Sequence, residues 1–364
     1  MWIMESLQFD HAVELITVGD PDIRALNECY GTNIIVGRVS VFPVSIPAFL
    51  KERFDVLRGQ LLARRFREIS SRYDLTISAY NVLGLKSKGI QFIGDFSFDD
   101  DLRRRFDQRS GGWRGFLDRS ALLRAPYLFL GRLISKNALE GWEKNITIAN
   151  SSWAAGILKE AYGITAKVIY PPVAGKFTEL PWDRRENGFV CVGRLVPEKR
   201  IERILDILEE VRSTHPDIHL HIIGTSSDLR YQAFLKDLCR RKGGWAIFEG
   251  GLFGDRKNRI IAGHKFGIHG RLNESFGIAP AEMAKAGCLV WVPNGGGQVE
   301  IVNDPRLIYA DHHDASTKIT TVINDPGLQE DLRAHLRKQS EYFSPERFIQ
   351  EVKGVVARAL DPEA

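Results

Sequence analysis

The sequence predicts an α/β protein of two domains, each a parallel sheet flanked by helices, on three observations. Its 364 residues exceed the roughly 250 to 300 at which a single hydrophobic core stops growing. From residue 188 onward, short Val- and Ile-rich runs alternate with polar turns and helical stretches, the pattern of βαβ units in a Rossmann-like sheet. Hydrophobic residues at 44% and charged residues at 26% match folded soluble chains, which excludes a largely disordered or fibrous molecule.

Taken in order, the second half reads clearly. GFVCVG is a strand followed by the turn RLVPEK and the amphipathic helix RIERILDILEEV. HLHIIG leads through TSSD to the helix YQAFLKDLCRR, and AIFEG leads to GDRKNRIIAG. KFGIH opens into NESFGIAPAEMAKAG, and CLVWVP passes through three glycines to QVEIV. The first half is less regular, with AVELITV, DLTISAY, GIQFI and ITIAN as strands, ILKEAYG as a helix end and AKVIYPPV as a last strand. Proline and charge then interrupt the periodicity. The predicted domains are therefore 1–172 and 188–343, joined by a linker over 173–187, with a final amphipathic helix over 344–364 crossing back to the first domain.

Bulk chemistry narrows the classes. Cys29, Cys191, Cys239 and Cys288 stand singly with no C-x-x-C pair, which points to a reducing, cytoplasmic compartment. MWIMESLQFD lacks the basic start and small-residue cleavage site of a secretory signal. The most apolar stretch, NIIVGRVSVFPVSIPAFL, is broken by Arg38, serines and two prolines, whereas a membrane span needs about 20 apolar residues in a row.

The net charge of +4 lies wholly in the first half: residues 1–170 hold 23 Lys and Arg against 19 Asp and Glu, and the remainder 27 against 27. Two arginine-rich stretches with aromatics, FLKERFDVLRGQLLARRFREI and LRRRFDQRSGGWRGFLDRSALLR, suit an anionic membrane surface. In the first, Leu50, Phe54, Leu57 and Leu61 recur at helical spacing with Arg58, Arg64, Arg65 and Arg67 around them. A solvated helix face over the core explains the same pattern. The excess is too small, and too plain in motif, for a nucleic-acid partner.

Three loops concentrate the chemistry. In residues 273–287, Pro280 suits a first helical turn and Gly287 the position past the end, so the helix is expected over residues 279–286 with Glu282 in its first turn and Glu274 in the loop before it. The amino terminus of that helix is an anion site, and Glu282 alone reads as well as an acid complementing the dipole. In GRLVPEK, Arg194 and Lys199 follow a buried strand, where open α/β sheets bind ligands, and two fixed cations match a diphosphate. Lys199 could equally pair with a nearby acid. In PNGGGQVEIV, Gly295, Gly296 and Gly297 allow backbone to approach a phosphate or sugar. No His or carboxylate spacing forms a metal set.

These residues carry a resemblance. GRLVPEK, the glutamates of NESFGIAPAE, the AKAG that follows and GGG-x-x-EIV together resemble the donor half of group 1 (family 4) retaining glycosyltransferases of GT-B architecture, two Rossmann-like domains facing a cleft. NSSWAAGILKEAYGITAKVIYPPV, SAYNVLGLKSKGIQFI and GIHGRLNESFG are similar to the branch of mannosyltransferases that extends lipid-linked oligosaccharides on the cytosolic membrane face.

The resemblance implies transfer of a hexose, mannose in that branch, from a nucleotide diphosphate sugar to a lipid-linked or polysaccharide acceptor, with GDP favoured over UDP and no further cofactor or metal. It implies that Arg194 and Lys199 hold the diphosphate, with Gly193 beside them in the donor site, that Glu282 bonds the ribose hydroxyls, and that Glu274 contacts the sugar. Phe276, Gly277 and Ile278 would present backbone amides, Gly296 would face the donor, and catalysis would rest on Glu274, Arg194 and Lys199. His269 lies beside the site in this branch motif, although a satisfied core histidine is the commoner reading. Where many relatives carry a histidine after GIQ(F/Y)I, this chain has Gly94 and Asp95, so Asp95 is the acceptor-side polar contact.

The family opens with a strand and a glycine-rich loop, and MWIMESLQFDHAVELITV begins inside the helix that follows them. A nucleotide-sugar binding protein without catalytic competence, and a GT-B sugar-nucleotide epimerase, are the alternative readings.

Overall fold

The computed structural model describes residues 1–45, 55–84, 89–106 and 141–361. It divides into two compact units, one of Met1–Ile169 with Glu346–Ala364 and the other of Tyr170–Pro345. Leu50, Phe54 and the arginine-rich stretch beyond Phe106 lie outside the described residues.

The unit Tyr170–Pro345 is a six-stranded parallel sheet. Its strands are β7 (Glu186–Val192), β8 (His219–Ile223), β9 (Ala246–Gly250), β10 (His264–Ile268), β11 (Leu289–Pro293) and β12 (Ile308–Tyr309), in the order β12-β11-β10-β7-β8-β9. Buried on both faces, such strands are near-continuous apolar runs, as LVWVP in β11 shows. Phe189, Phe266 and Trp291 from β7, β10 and β11 stack at the centre, with ring centroids 5.1 and 5.9 Å apart, and all three side chains are almost fully buried.

Helices cover the sheet: α6 (Ile201–Arg212), α7 (Leu229–Arg241), α8 (Gly254–Gly263), α9 (Ile278–Lys285), α10 (Gln298–Val302), α11 (His312–Ile323) and α12 (Pro326–Ser340). In α6 the buried residues Ile201, Ile204, Leu205, Leu208 and Val211 recur at three and four residues, one apolar stripe on the sheet. Asp228 starts α7 by accepting from the backbone N–H groups of Arg230 and Tyr231.

The other unit holds β1 (Val13–Val18) paired in parallel with β2 (Val39–Val44), and a four-stranded parallel sheet. That sheet runs β3 (Ile77–Ser78), β4 (Ile90–Ile93), β5 (Ile146–Ala149) and β6 (Lys167–Val168). Its helices are α1 (Trp2–Leu7), α2 (Ile23–Tyr30), α3 (Asp55–Ile69), α4 (Asp100–Phe106) and α5 (Ser152–Tyr162). Ser151 caps α5 by accepting from Ala154 N–H, and Gly163 closes it in the left-handed conformation. The last helix, α13 (Pro345–Leu360), turns Phe348, Val352, Val355 and Val356 inward onto Leu7, Ile90, Ile148 and Ile169.

Strand β2 was hidden within the apolar stretch broken by Pro43. Pro43 sits in β2 opposite Thr17, and a two-stranded ribbon tolerates a missing backbone N–H because both strands are edges. Helix α3 carries Arg64 and Arg65, but both bond Glu68, at 3.3 and 3.2 Å. Among the described residues no helix is long and apolar enough to cross a membrane.

Ile204 is fully buried under the sheet, so Ile204→Ala is expected to cost about 2–5 kcal/mol by loss of contacts and creation of a cavity. Urea denaturation checks this, and an unchanged midpoint would mean that α6 does not pack as described.

Candidate functional site

Neighbouring strands β11, β10 and β7 all point the same way, so their carboxyl ends bring three loops together. These are residues 193–200, 269–277 and 294–297. In the first, Gly193 leaves β7 at φ 147°, Pro197–Lys199 make one 3₁₀ turn, and Arg200 sits in the left-handed region at φ 50°. A non-glycine residue held there stores strain of order 1 kcal/mol, of the kind found at functional loops.

The central contact joins the first loop to the second. Lys199 Nζ donates to Glu274 Oε2 at 2.6 Å, and both side chains are more than four-fifths buried. The same oxygen lies 3.4 Å from His269 Nε2 and 3.8 Å from Arg271 Nε. His269 is buried and its Nε2 lacks a well-aligned hydrogen bond. Burial alone would raise the Glu274 carboxyl, but His269 beside it and the charges of Lys199 and Arg271 outweigh that and hold it far below the usual carboxylate range. Burial pushes the His269 imidazole down, so it is neutral in ordinary conditions.

Arg194 is exposed, and its side chain forms no ion pair with any described residue. Gly193, Arg194, Leu195, Lys199, Ile201 and His269 line one small recess at this sheet edge. The structure thus brings together the Gly193, Arg194, Lys199, Glu274 and His269 that the sequence singled out. The acid that pairs with Lys199 is Glu274 itself, not a surface neighbour.

Close backbone approach builds the recess. A Cβ on Gly270 would lie 2.6 Å from the carbonyl oxygen of Lys199, so only glycine lets the second loop cross the first there. Gly296, at φ 79°, does the same for the third: its Cβ would lie 2.4 Å from the carbonyl oxygen of Glu274. Gly297 N–H donates to that oxygen at 2.8 Å, and buried Gln298 donates to the carbonyls of Arg271, Gly295 and Pro293 at 2.8, 3.0 and 3.1 Å. Gly296 therefore docks the loop that carries Glu274.

Helix α9 begins one residue earlier than expected. Gly277, at φ 108°, precedes Ile278, and Gly287, at φ 87°, follows the C-cap Ala286. Glu282 is consequently the fifth helical residue, beyond the first turn, and no acid complements the dipole there. Its partner is Lys257 of α8, whose Nζ donates to Oε1 at 2.7 Å. Phe276 is buried, its ring packed at 5.4 Å against Phe343 and 6.0 Å against Tyr170, which anchors the loop, while Ile278 is exposed.

Asp95 belongs to the other unit, just past β4. Its carboxylate accepts from Tyr80 Oη, from Asn81 Nδ2 at 2.9 Å and from Ser97 N–H at 2.8 Å. Burial would raise its pKa, but these hydrogen bonds hold it low, and burial beside Asp95 pushes the Tyr80 phenol up to about 12. Arg271, Lys257 and Gln298 were not singled out from sequence. Arg271 stands three residues before Glu274, but Lys257 comes from another βα unit and carried no signal.

Residues 175–341 match the family model described as "Glycosyl transferases group 1". Two curated relatives are each named GDP-Man:Man(3)GlcNAc(2)-PP-Dol alpha-1,2-mannosyltransferase. The Candida glabrata protein is 25% identical over 173 residues, and that of Dictyostelium discoideum 24% over 176. The matches cover 42% and 43% of this chain but 34% and 35% of those proteins, so the chain spans about a third of the length of these relatives.

Solved structures similar over nearly the whole chain include WaaG, a glycosyltransferase involved in lipopolysaccharide biosynthesis, at TM-score 0.68 and 14% identity, covering 97% of this chain and 94% of that one. Sucrose-phosphate synthase from Thermosynechococcus elongatus aligns at TM-score 0.69 and 14% identity, covering 100% and 92%. Anabaena Alr3699/HepE, solved with UDP and glucose, aligns at 0.65 and 16%, covering 98% and 95%. The fold is therefore GT-B, and residues 175–341 are similar to the group 1 glycosyl transferases.

Because the Glu274 pKa is depressed on folding, its carboxylate contributes stability that is fully present above the ordinary value of 4.5 and is lost as pH falls toward the depressed value. The stability difference between wild type and Glu274→Gln is expected to be constant from about pH 5.5 to 7 and to shrink steadily below about 4.5. Denaturation series at several pH values measure it, and a difference that grows on acidification would contradict the assigned charge.

Proposed function

We propose that the protein transfers a hexose from a nucleotide diphosphate sugar to a glycan or lipid-linked acceptor, with mannose from GDP-mannose as the preferred donor. One observation carries the reading: Arg194, which forms no ion pair with any described residue, and Lys199 line a recess at the carboxyl edge of a parallel sheet, and Lys199 is held there by Glu274 of the loop that leads into α9. The curated relatives support the choice of donor, since their names specify GDP-Man and a dolichol-linked acceptor.

The chemistry follows from charge. Transfer breaks the bond between the sugar's anomeric carbon and the diphosphate oxygen, and forms a bond from that carbon to an acceptor oxygen. The acceptor proton passes to the departing phosphate oxygen on the same face, so configuration is retained. Charge develops on the leaving diphosphate, and fixed cations and amides stabilise it without reorganising. Lys199 has three N–H donors and gives one to Glu274, which leaves two for phosphate oxygens. Arg194 adds a planar fork that fits a phosphate bidentately. The first-turn N–H groups of Ile278 and Ala279 lie outside the helical ladder and complete an anion site.

Glu274, kept ionised, accepts hydroxyls of the donor sugar. Glu282, held by Lys257, accepts those of the ribose. On this reading Asp95 orients the loops on the acceptor side, and the basic first half rests on an anionic membrane at the cytosolic face.

Incubation with labelled GDP-mannose and a lipid-linked oligosaccharide tests the activity directly. Acceptor-dependent transfer with the donor's anomeric configuration is expected. Nucleotide binding with no transfer would favour the binding-protein reading, and conversion of the sugar nucleotide without acceptor would favour an epimerase. Arg194→Ala and Lys199→Ala are each expected to weaken GDP binding by about 1.5–3 kcal/mol, the worth of a hydrogen bond to a charged group. Glu282→Ala is expected to weaken binding of the nucleotide sugar through its ribose. Unchanged affinity in the two cation variants, measured by calorimetry, would remove the diphosphate assignment.

A further inference from the structure

At the opposite, amino-terminal edge of the same sheet, three histidines and a glutamate converge. Glu186, His219 and His264 are the first residues of the adjacent strands β7, β8 and β10, and His264 stands opposite Glu186 in register. His221 lies two residues along β8 from His219, hence on the same face. One nitrogen or carboxylate oxygen from each of the four lies within 4.8 Å of every other.

We propose that Glu186, His219, His221 and His264 bind a divalent transition-metal ion, with zinc as the type, in a structural site separate from the donor recess. Four ligands about 2.0–2.1 Å from a tetrahedral ion stand about 3.3 Å from one another. His219 Nε2 lies 3.3 Å from His264 Nε2 and 3.3 Å from Glu186 Oε2. The third separation, Glu186 Oε2 to His264 Nε2, is 4.0 Å, and Glu186 is the exposed member that can rotate inward. Imidazole and carboxylate in this ratio suit zinc and its neighbours rather than calcium or magnesium.

The outer hydrogen bonds aim the rings. His264 Nδ1 donates to the carbonyl of Ile260 at 2.7 Å, and His219 Nδ1 faces the carbonyl of Asp217 at 3.4 Å. A carbonyl only accepts, so with the proton on Nδ1 of both rings the two Nε2 atoms, 3.3 Å apart, are free to serve as ligands. His221 Nδ1 bonds Glu249 Oε1 at 2.6 Å, the carboxylate–histidine arrangement that fixes metal-bound imidazoles. Gly188, inside β7, completes the cradle: a Cβ there would lie 2.3 Å from His219 Nε2, so the glycine leaves room for the ring.

The seven residues of β7 separate this edge from the donor recess by about 20 Å, at about 3.3 Å per residue. An ion here ties the starts of three strands together and takes no part in the transfer chemistry.

The test uses the full, tag-free chain, stripped with a chelator and titrated with CoCl2 and then ZnCl2. One equivalent of cobalt is expected to give the strong visible bands of a four-coordinate ion, displaced by one equivalent of zinc. A folded wild-type chain that gives no such bands and takes up no stoichiometric zinc overturns the proposal without recourse to any variant. His221→Ala is expected to lower zinc affinity by about 100-fold or more. Glu249→Gln, outside the ligand set, is expected to lower it by about 10- to 100-fold. Bands and affinity unchanged in both His219→Ala and His221→Ala, with circular dichroism unaltered, would equally overturn it.

Discussion

The ion pair between Lys199 and Glu274 is the contact on which the recess at the carboxyl edge of the sheet depends. Most of each side chain is withdrawn from water, and a charge in that position is costly unless it is paired. Each residue supplies what the other needs, and together they tie the loop after β7 to the loop after β10. Arg271 and His269 close in on the same carboxylate oxygen, so Glu274 stays ionised while the rim, with Arg194, remains cationic. On the proposed reading, a diphosphate is the ligand that this cationic rim would take.

That contact is possible only because backbones cross at distances a side chain would forbid. Gly270 and Gly296 stand where a Cβ would strike the carbonyl oxygens of Lys199 and Glu274, and the Gln298 amide nitrogen, within hydrogen-bond distance of the carbonyls of Arg271, Pro293 and Gly295, ties the third loop to the second. The ends of a parallel sheet divide the labour. Carboxyl ends gather glycines, cations and a helix amino terminus, whereas the amino ends of β7, β8 and β10 gather imidazoles.

Much of the second unit was legible in the sequence because strands buried on both faces are written as continuous apolar runs, and amphipathic helices as stripes. GFVCVG, HLHIIG, AIFEG and CLVWVP are all strands, and RIERILDILEEV is one buried-faced helix. Strand β2 was not legible, because Pro43 reads as a breaker until the strand is known to be an edge. The site residues near Gly193 and Glu274 were visible as loop motifs. Their partners were not: Lys257 reaches Glu282 from another βα unit, and Glu186, His219, His221 and His264 come from three strands with only a His-x-His spacing between them. A sequence shows which loops share a sheet edge; it does not show which side chains meet there.

The central claim is that the recess around Lys199 and Glu274 binds a nucleoside diphosphate. Parallel calorimetric titrations of the full chain with GDP, UDP and ADP test it most directly. Stoichiometric, selective binding of GDP is expected. Binding of none of the three by a chain that is folded would contradict it.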